Sequence, residues 1–420
     1  MTYFILKADS IPSYLGSLPA VTKVLGNTAD INIEEIGDGN LNFVYRVTSQ
    51  NAPEKSVILK QAVPYLRMAG DSWPLSRDRM KYEIRALKIY EKVAPQYIPK
   101  VFYSDEEMSV LVMENLSQHR VVRYGMMDGE TYENVGHHVG NFLAESLFKT
   151  SSLYMPSTER RELMSQFVLN SELCKLTEDF IFTFPYIEHE SNYLNQISNN
   201  YANETIRIDD HFKLNVLKFK ELFLTKTDAL LHGDIHTGSL MANKNETYVI
   251  DPEFAFFGPF GFDVGKIIGN LLLCYTSHFH HSSDSSYQDW LLGQAVGIWK
   301  TFETRFLELW SASPESAHLV EKFVTEATLN EYKKQYLLKI MQDTVGFCAC
   351  SIARRTLGIA GVAEIRTIEN EITRGKLEII NIELSRMLMS NHETITGIEH
   401  LESLIKTFYA NVDINTLELR

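Results

Sequence analysis

Apolar residues in the first part of the chain alternate with polar ones. The runs "INIEEIG" (31 to 37), "LNFVYRV" (41 to 47) and "SVILK" (56 to 60) are rich in strand formers, with Gly39 and the polar "TSQNAPEK" between them. An antiparallel sheet is predicted there. From Ser76 the period changes: Met80, Ile84, Leu87 and Val93 recur near helical spacing in "SRDRMKYEIRALKIYEKV", which predicts one amphipathic helix with Ser76 as its N-cap. Strands around "KVFYSD" and "SVLVMENL" complete a strand-rich region ending near residue 115. Beyond it, three- and four-residue apolar spacing in "HHVGNFLAESLFKT", "FKLNVLKFKELFLT", "EYKKQYLLKIMQDTVGFCACSIARRTLG" and "RGKLEIINIELSRMLM" predicts helices almost throughout. The exception is residues 230 to 268, where "ETYVIDPEFA" reads as a strand pair set among helices. The polar "HFHHSSDSSYQD" (278 to 289) reads as an exposed loop, and its His278, His280 and His281 as solvated, because no cysteine or acid stands at metal-site spacing. No internal repeat is visible.

Composition narrows the class. A chain of 420 residues exceeds the size at which one core keeps growing, so two lobes are expected. With 45% hydrophobic and 22% charged residues it is globular rather than disordered. Forty basic against 54 acidic residues leave a formal charge of -14. That charge argues against sequence-independent binding to nucleic acid or anionic membrane, and a phosphate-bearing ligand needs a local cationic pocket. Cys174, Cys274, Cys348 and Cys350 show no CxxC pair, and Cys348 and Cys350 are too close for an ordinary disulfide framework, so reduced cytosolic thiols are expected. The N-terminal "MTYFILKADSIPSYLG" has one three-residue apolar run and no basic leader, unlike a signal peptide. "IIGNLLLCY" suits a buried helix and is too short to span a bilayer.

The chemistry lies in an order of residues. Phosphoryl transfer needs a cation on the nucleotide phosphates, hard oxygens for a divalent metal, and an acid near the attacking hydroxyl. Lys60 ends the strand "SVILK", Glu83 sits on the next helix, Asp234 lies in a loop, and Asp251 follows the strand "YVI". Taken singly, each has a plain structural explanation: a strand-end lysine in water, a glutamate on a solvated helix face, an aspartate forming a turn after glycine. Taken in order, they match the protein-kinase parts. Asp251 and Glu253 flank Pro252, so two carboxylates leave one stiff turn and can share Mg²⁺. Gly37-Asp38-Gly39-Asn40 lacks the third glycine of GxGxxG, and by itself is a hairpin turn with amides able to cover phosphates.

With "HGDIHTGS" as a catalytic loop, "DPE" in place of DFG and "DGNLNFVYRV" as a phosphate-covering loop, the sequence resembles the protein-kinase-like superfamily of small-molecule kinases. Within it, the twin arginine Arg354-Arg355 in "CSIARRTLG" resembles the family of methylthioribose kinases and is not expected of choline or aminoglycoside kinases. The resemblance covers roughly residues 25 to 365. It implies an α+β, two-lobed protein-kinase-like fold, with a nucleotide-binding sheet lobe at 1–115 and a mainly helical catalytic and substrate lobe at 116–420. ATP and Mg²⁺ are expected in the cleft between them. The implied sites are Gly37, Asp38, Gly39 and Asn40 over the phosphates, Lys60 on them with Glu83 steadying it, and Met113, Glu114 and Leu116 at the adenine edge. Asp251 and Glu253 are implied for metal, Asp234 for accepting or orienting the sugar hydroxyl, and Arg354, Arg355 and Trp73 (in "GDSWPL") for the sugar. Ser239, five positions after Asp234, departs from the metal-binding asparagine of many relatives, and Glu253 is expected to replace that ligand. Asp263 is expected to brace the catalytic loop, His232 to hold it, and His236 to pack nearby. The implied reaction is ATP-dependent phosphorylation of the 1-hydroxyl of S-methyl-5-thioribose in methionine salvage, by a cytoplasmic homodimer. Two alternatives stand beside it: a kinase for aminoglycoside, choline or homoserine, against which the twin arginine argues, and a non-catalytic nucleotide-binding module, against which Lys60, Asp234 and Asp251 argue.

Overall fold

The computed structural model describes residues 3–36, 41–67, 70–193, 195–281, 284–313, 315–320 and 322–414. Strands β1 (Ile31–Glu35), β2 (Phe43–Ser49) and β3 (Ser56–Gln61) are followed by a short hairpin of β4 (Tyr65–Leu66) and β5 (Gly70–Pro74), then by β6 (Val101–Asp105) and β7 (Val110–Glu114). Five of them make one antiparallel sheet in the order β1-β2-β3-β7-β6. The central β3 is almost wholly buried, and the strand period of two sorts its side chains. Val57 and Leu59 face a small core shared with Leu6, Ile11, Leu15, Val21 and Leu25. Ile58 faces the other way, into the main core with Met80, Ile84 and Leu87. Lys60 has the parity of Ile58, which aims it at helix Asp78–Val93 and at Glu83.

Two features of this region differ from the sequence reading. Short helices Ile11–Gly16 and Pro19–Leu25 cover the outer face of the sheet; at six and seven residues they are too short to display a helical period. The long helix starts at Asp78 rather than beside Ser76. Ser76 Oγ accepts the Asp78 amide at 3.1 Å, a local turn one residue ahead of the Arg77 cap position.

After Glu114 the chain is mainly helical. Helix Gly261–His281, containing "IIGNLLLCY", is buried nearly all round and packs against helices Ser286–Ser311 and Glu326–Leu357. The predicted loop at 278–289 is helical at both ends: one helix runs through His281, with His280 and His281 exposed as expected, and the next begins at Ser286. His278 is buried with Nε2 3.2 Å from the Met126 carbonyl and its ring 4.4 Å from that of Tyr287, a tertiary fit for residues that look soluble in isolation. The main apolar core runs unbroken from helix Asp78–Val93 into these helices. No helix among the described residues is long and apolar enough to cross a membrane.

Five more short strands frame the stretch 230–268. β8 (Arg120–Val121) pairs with β10 (Leu240–Ala242), which pairs with β11 (Thr247–Val249), while β9 (Ala229–Leu231) pairs with β12 (Phe256–Gly258). "ETYVIDPEFA" is thus not a strand pair within itself: its first half is β11, paired with the upstream β10, its second half is a 3-10 turn at Pro252–Phe254, and β12, which follows, pairs with the upstream β9. This arrangement places the loop after β9 against the turn after β11.

Candidate active site

Three elements converge on Lys60. Its ammonium is 2.8 Å from Glu83 Oε1, on helix Asp78–Val93, and 2.7 Å from Asp251 Oδ1, in the turn after β11. Lys60 and Glu83 are buried, while the Asp251 side chain is 42% exposed. Burial alone would lower the lysine pKa, but Asp251 and Glu83 outweigh it, so the net direction is upward and the ammonium stays charged. Asp251 adopts a left-handed backbone (φ 62°) immediately before Pro252. That conformation is sparsely populated by a non-glycine residue and costs about 1–3 kcal/mol.

The loop after β9 is held from several sides. Asp263, in the first turn of helix Gly261–His281, accepts the His232 amide at 2.7 Å and the Gly233 amide at 3.1 Å. Gly233 has φ 83°, and a Cβ there would lie 2.2 Å from the Phe254 carbonyl oxygen, so only glycine fits this approach. His232 Nε2 sits 2.8 Å from the Ile250 carbonyl, which can only accept, so Nε2 carries the proton and Nδ1 accepts from the Asp234 amide at 3.3 Å. One imidazole thereby ties the Asp234 loop to the Asp251 turn. Asp234 itself forms a salt bridge to Lys266, and its carboxylate lies 3.6 Å from both His236 Nε2 and Arg355 Nη2. Burial would raise its pKa, but Lys266 and His236 reverse that and hold it well below the usual carboxylate range. Burial and the nearby Arg123 keep His236 neutral, with its pKa far below the ordinary value. Its Nδ1 accepts from the Gly238 amide at 2.9 Å and faces Arg123 at 3.3 Å.

The model of the phosphotransferase enzyme family matches residues 32–292. The chain is 40% identical over 371 residues to a methylthioribose kinase of Geobacillus sp. (strain WCH70), covering 88% of each chain. It is 34% identical over 414 residues to methylthioribose kinase 1 of Oryza sativa subsp. japonica, covering 96% of this chain and 95% of that one. The chain belongs to the methylthioribose kinase family.

The features that point within that family are placed as follows. Arg354 and Arg355 lie in the last turn of helix Glu326–Leu357, where the sequence alone also allows carbonyl capping. Arg355 instead reaches toward Asp234, and buried N–H groups on both guanidiniums (Nε and Nη1 of Arg354, Nε and Nη2 of Arg355) have no hydrogen-bond acceptor among the described residues. Burial pushes both arginines' pKa down, against the opposing pull of Asp234. Trp73, on β5, meets Phe180 with ring centroids 6.4 Å apart, and the Phe180 carbonyl borders Gly358 at the end of the twin-arginine helix. Met113 and Leu116 are buried where the sheet passes to the helices. The Glu114 amide donates to the Lys100 carbonyl at 2.9 Å, which takes it out of adenine recognition. Gly37, Asp38, Gly39 and Asn40 lie outside the described residues.

Glu253 is more engaged than its place in the sequence suggests. It is buried, Oε2 accepts from Asn42 Nδ2 at 2.8 Å, and Arg79 lies 3.9 Å away. Asn170 Nδ2 grips the Glu253 and Ala255 carbonyls at 2.9 and 3.0 Å. Ser239 Oγ turns back into its own loop, donating to the His236 carbonyl at 2.9 Å.

Four residues here escaped the sequence reading: Asn42, Arg79, Arg123 and Lys266. Two of them carried a signal. Arg79 stands four residues before Glu83 on the buried face of its helix, and Lys266 is a lone cation in the apolar run "FDVGKIIGNLLLCY". Charged residues at core positions are rare unless paired. Asn42 and Arg123 carried none, because their partners lie 211 and 113 residues away.

Proposed function

We propose that this chain transfers the γ-phosphoryl group of ATP to the 1-hydroxyl of S-methyl-5-thioribose, giving the 1-phosphate, as a step of methionine salvage. The observation that carries the reading is the juxtaposition of a deprotonated Asp234 with Arg355 and the unpartnered donors of the twin arginine, in a chain with near full-length methylthioribose kinase relatives. Residues 1–115 serve as the nucleotide lobe and 116–420 as the catalytic and sugar lobe. Lys60, steadied by Glu83, pairs the ATP phosphates; the Glu114 carbonyl and Leu116, beside Met113, take the adenine edge.

A carboxylate held as low as Asp234 is a weak base toward a sugar hydroxyl. Its main contribution is to orient the attacking oxygen, with the proton passing to it as the bond to phosphorus forms. Arg354 and Arg355 present planar donor forks to the sugar hydroxyls and the transferring phosphoryl group, and Trp73 closes the sugar side.

The turn after β11 fits Mg²⁺. Asp251 is half exposed with one oxygen on Lys60, and Glu253 has Oε2 on Asn42, so each has a second hard oxygen to offer. Asp251 and Glu253 would hold the ion together with water, and the bound ion would supply charge neutralisation of the transferring phosphate. The same resemblance supports a homodimer, for which sedimentation should show a species of twice the chain mass. Four free cysteines, three of them buried, support a reducing, cytoplasmic setting.

A substrate panel tests the reading. ATP should be consumed with methylthioribose and Mg²⁺ and spared with choline or kanamycin; comparable turnover of choline would overturn it.

A further inference from the structure

Lys266 is buried on a largely apolar helix, yet its side chain ends in the Asp234 loop. Its ammonium donates to the Gly233 carbonyl at 3.0 Å and forms a salt bridge to Asp234 Oδ1. The Phe262 ring, 5.2 Å from the nitrogen, flanks it. Two acceptors on consecutive residues of one loop, bridged by one cation from behind, fix both the loop backbone and the rotamer of the carboxylate. Oδ1 is occupied in this way, and Oδ2 is left on the side of His236.

We infer that Lys266 is a positioning residue for phosphoryl transfer: it clamps Asp234 so that a single oxygen, Oδ2, meets the sugar hydroxyl. The inference rests on the reading of Asp234 given above. It deepens that reading by making the orientation of the carboxylate depend on a charge supplied by the next helix.

The charges around Lys266 come from three elements. Asp234 and His232 face it from the catalytic loop, Asp263 from its own helix, and Arg354 and Arg355 from the twin-arginine helix. Burial lowers its pKa, Asp234 raises it, and the two arginines lower it again, leaving it at about 8. Below pH 8 the ammonium holds Asp234; above it a neutral amine loses the ion pair, the carboxylate is freed, and kcat should fall as pH rises.

The test is the pH profile of kcat and of the methylthioribose KM in Lys266→Met and Lys266→Arg, with Asp234→Asn alongside. Lys266→Met, close to isosteric and uncharged, should lower kcat at pH 7 by about 10-fold or more with the ATP KM within about 2-fold, and should abolish the alkaline limb. Lys266→Arg, charged at every accessible pH, should move that limb upward, and it decides the question if the Met variant does not fold. A wild-type alkaline limb in either folded variant, or wild-type kcat in Lys266→Met, overturns the inference. If Asp234→Asn retains full turnover, the orienting role of Asp234 itself falls; if it is inactive while Lys266→Met matches wild type, only the clamp falls.

Discussion

At the scale of the residue, the site is a set of buried charges with incomplete partners. Asp234→Asn keeps the shape and removes the charge proposed to orient the hydroxyl, so kcat should fall by about 100-fold or more while ATP binding, read by calorimetry, persists. Arg354→Ala and Arg355→Ala each remove donors that have no acceptor among the described residues. At least one should cost about 2–4 kcal/mol in kcat/KM for methylthioribose, with lysine rescuing little because it lacks the planar fork. Wild-type kcat/KM in both would make the pair structural. Glu253→Gln leaves an oxygen for Asn42 but removes an anion from the turn. The Mg²⁺ concentration needed for half-maximal rate should rise, and an unchanged Mg²⁺ dependence would mean that Glu253 only joins Asn42 and Arg79 to the turn.

At the scale of the element, the catalytic loop owes its shape to helix Gly261–His281. Asp263 sits in that helix's first turn, where a carboxylate suits the dipole, and it accepts two loop amides while Lys266 reaches the next residues. Asp263→Asn keeps one acceptor and turns an amide group toward the other N–H, so stability should drop by about 1–3 kcal/mol, measured by urea denaturation. An unchanged midpoint would show that the loop holds without the brace. Much of this element level was legible. "IIGNLLLCY" reads as a buried helix and "SVILK" as a strand ending in Lys60, while the central place of that strand, and the parity that aims Lys60 at the following helix, come from the sheet. What pattern could not supply was pairing: β9 with β12 and β10 with β11 are non-consecutive or very short, and three-residue strands carry no period.

At the scale of the whole molecule, an acidic chain carries a cationic site. The formal charge is -14, yet Lys60, Arg79, Arg123, Lys266, Arg354 and Arg355 gather around two acidic loops. Long-range attraction of a polyanionic nucleotide is therefore weak, and binding rests on buried, poorly screened contacts. kcat/KM for ATP should stay within about 2-fold between roughly 50 and 300 mM salt; a steep decline would indicate electrostatic steering.

The sequence by itself determined the sheet-then-helix division, the burial of the long helices, and the order Lys60, Glu83, Asp234, Asp251, because these are properties of local period and chain order. Only the tertiary structure decided that His278 is buried, that Glu253 is tied to Asn42 and Arg79, and that Lys266 and Arg355 converge on one carboxylate. Those outcomes depend on which distant charges meet once water is excluded. No local pattern encodes that, because the energy of a buried charge is set by its partners and not by its neighbours in the chain.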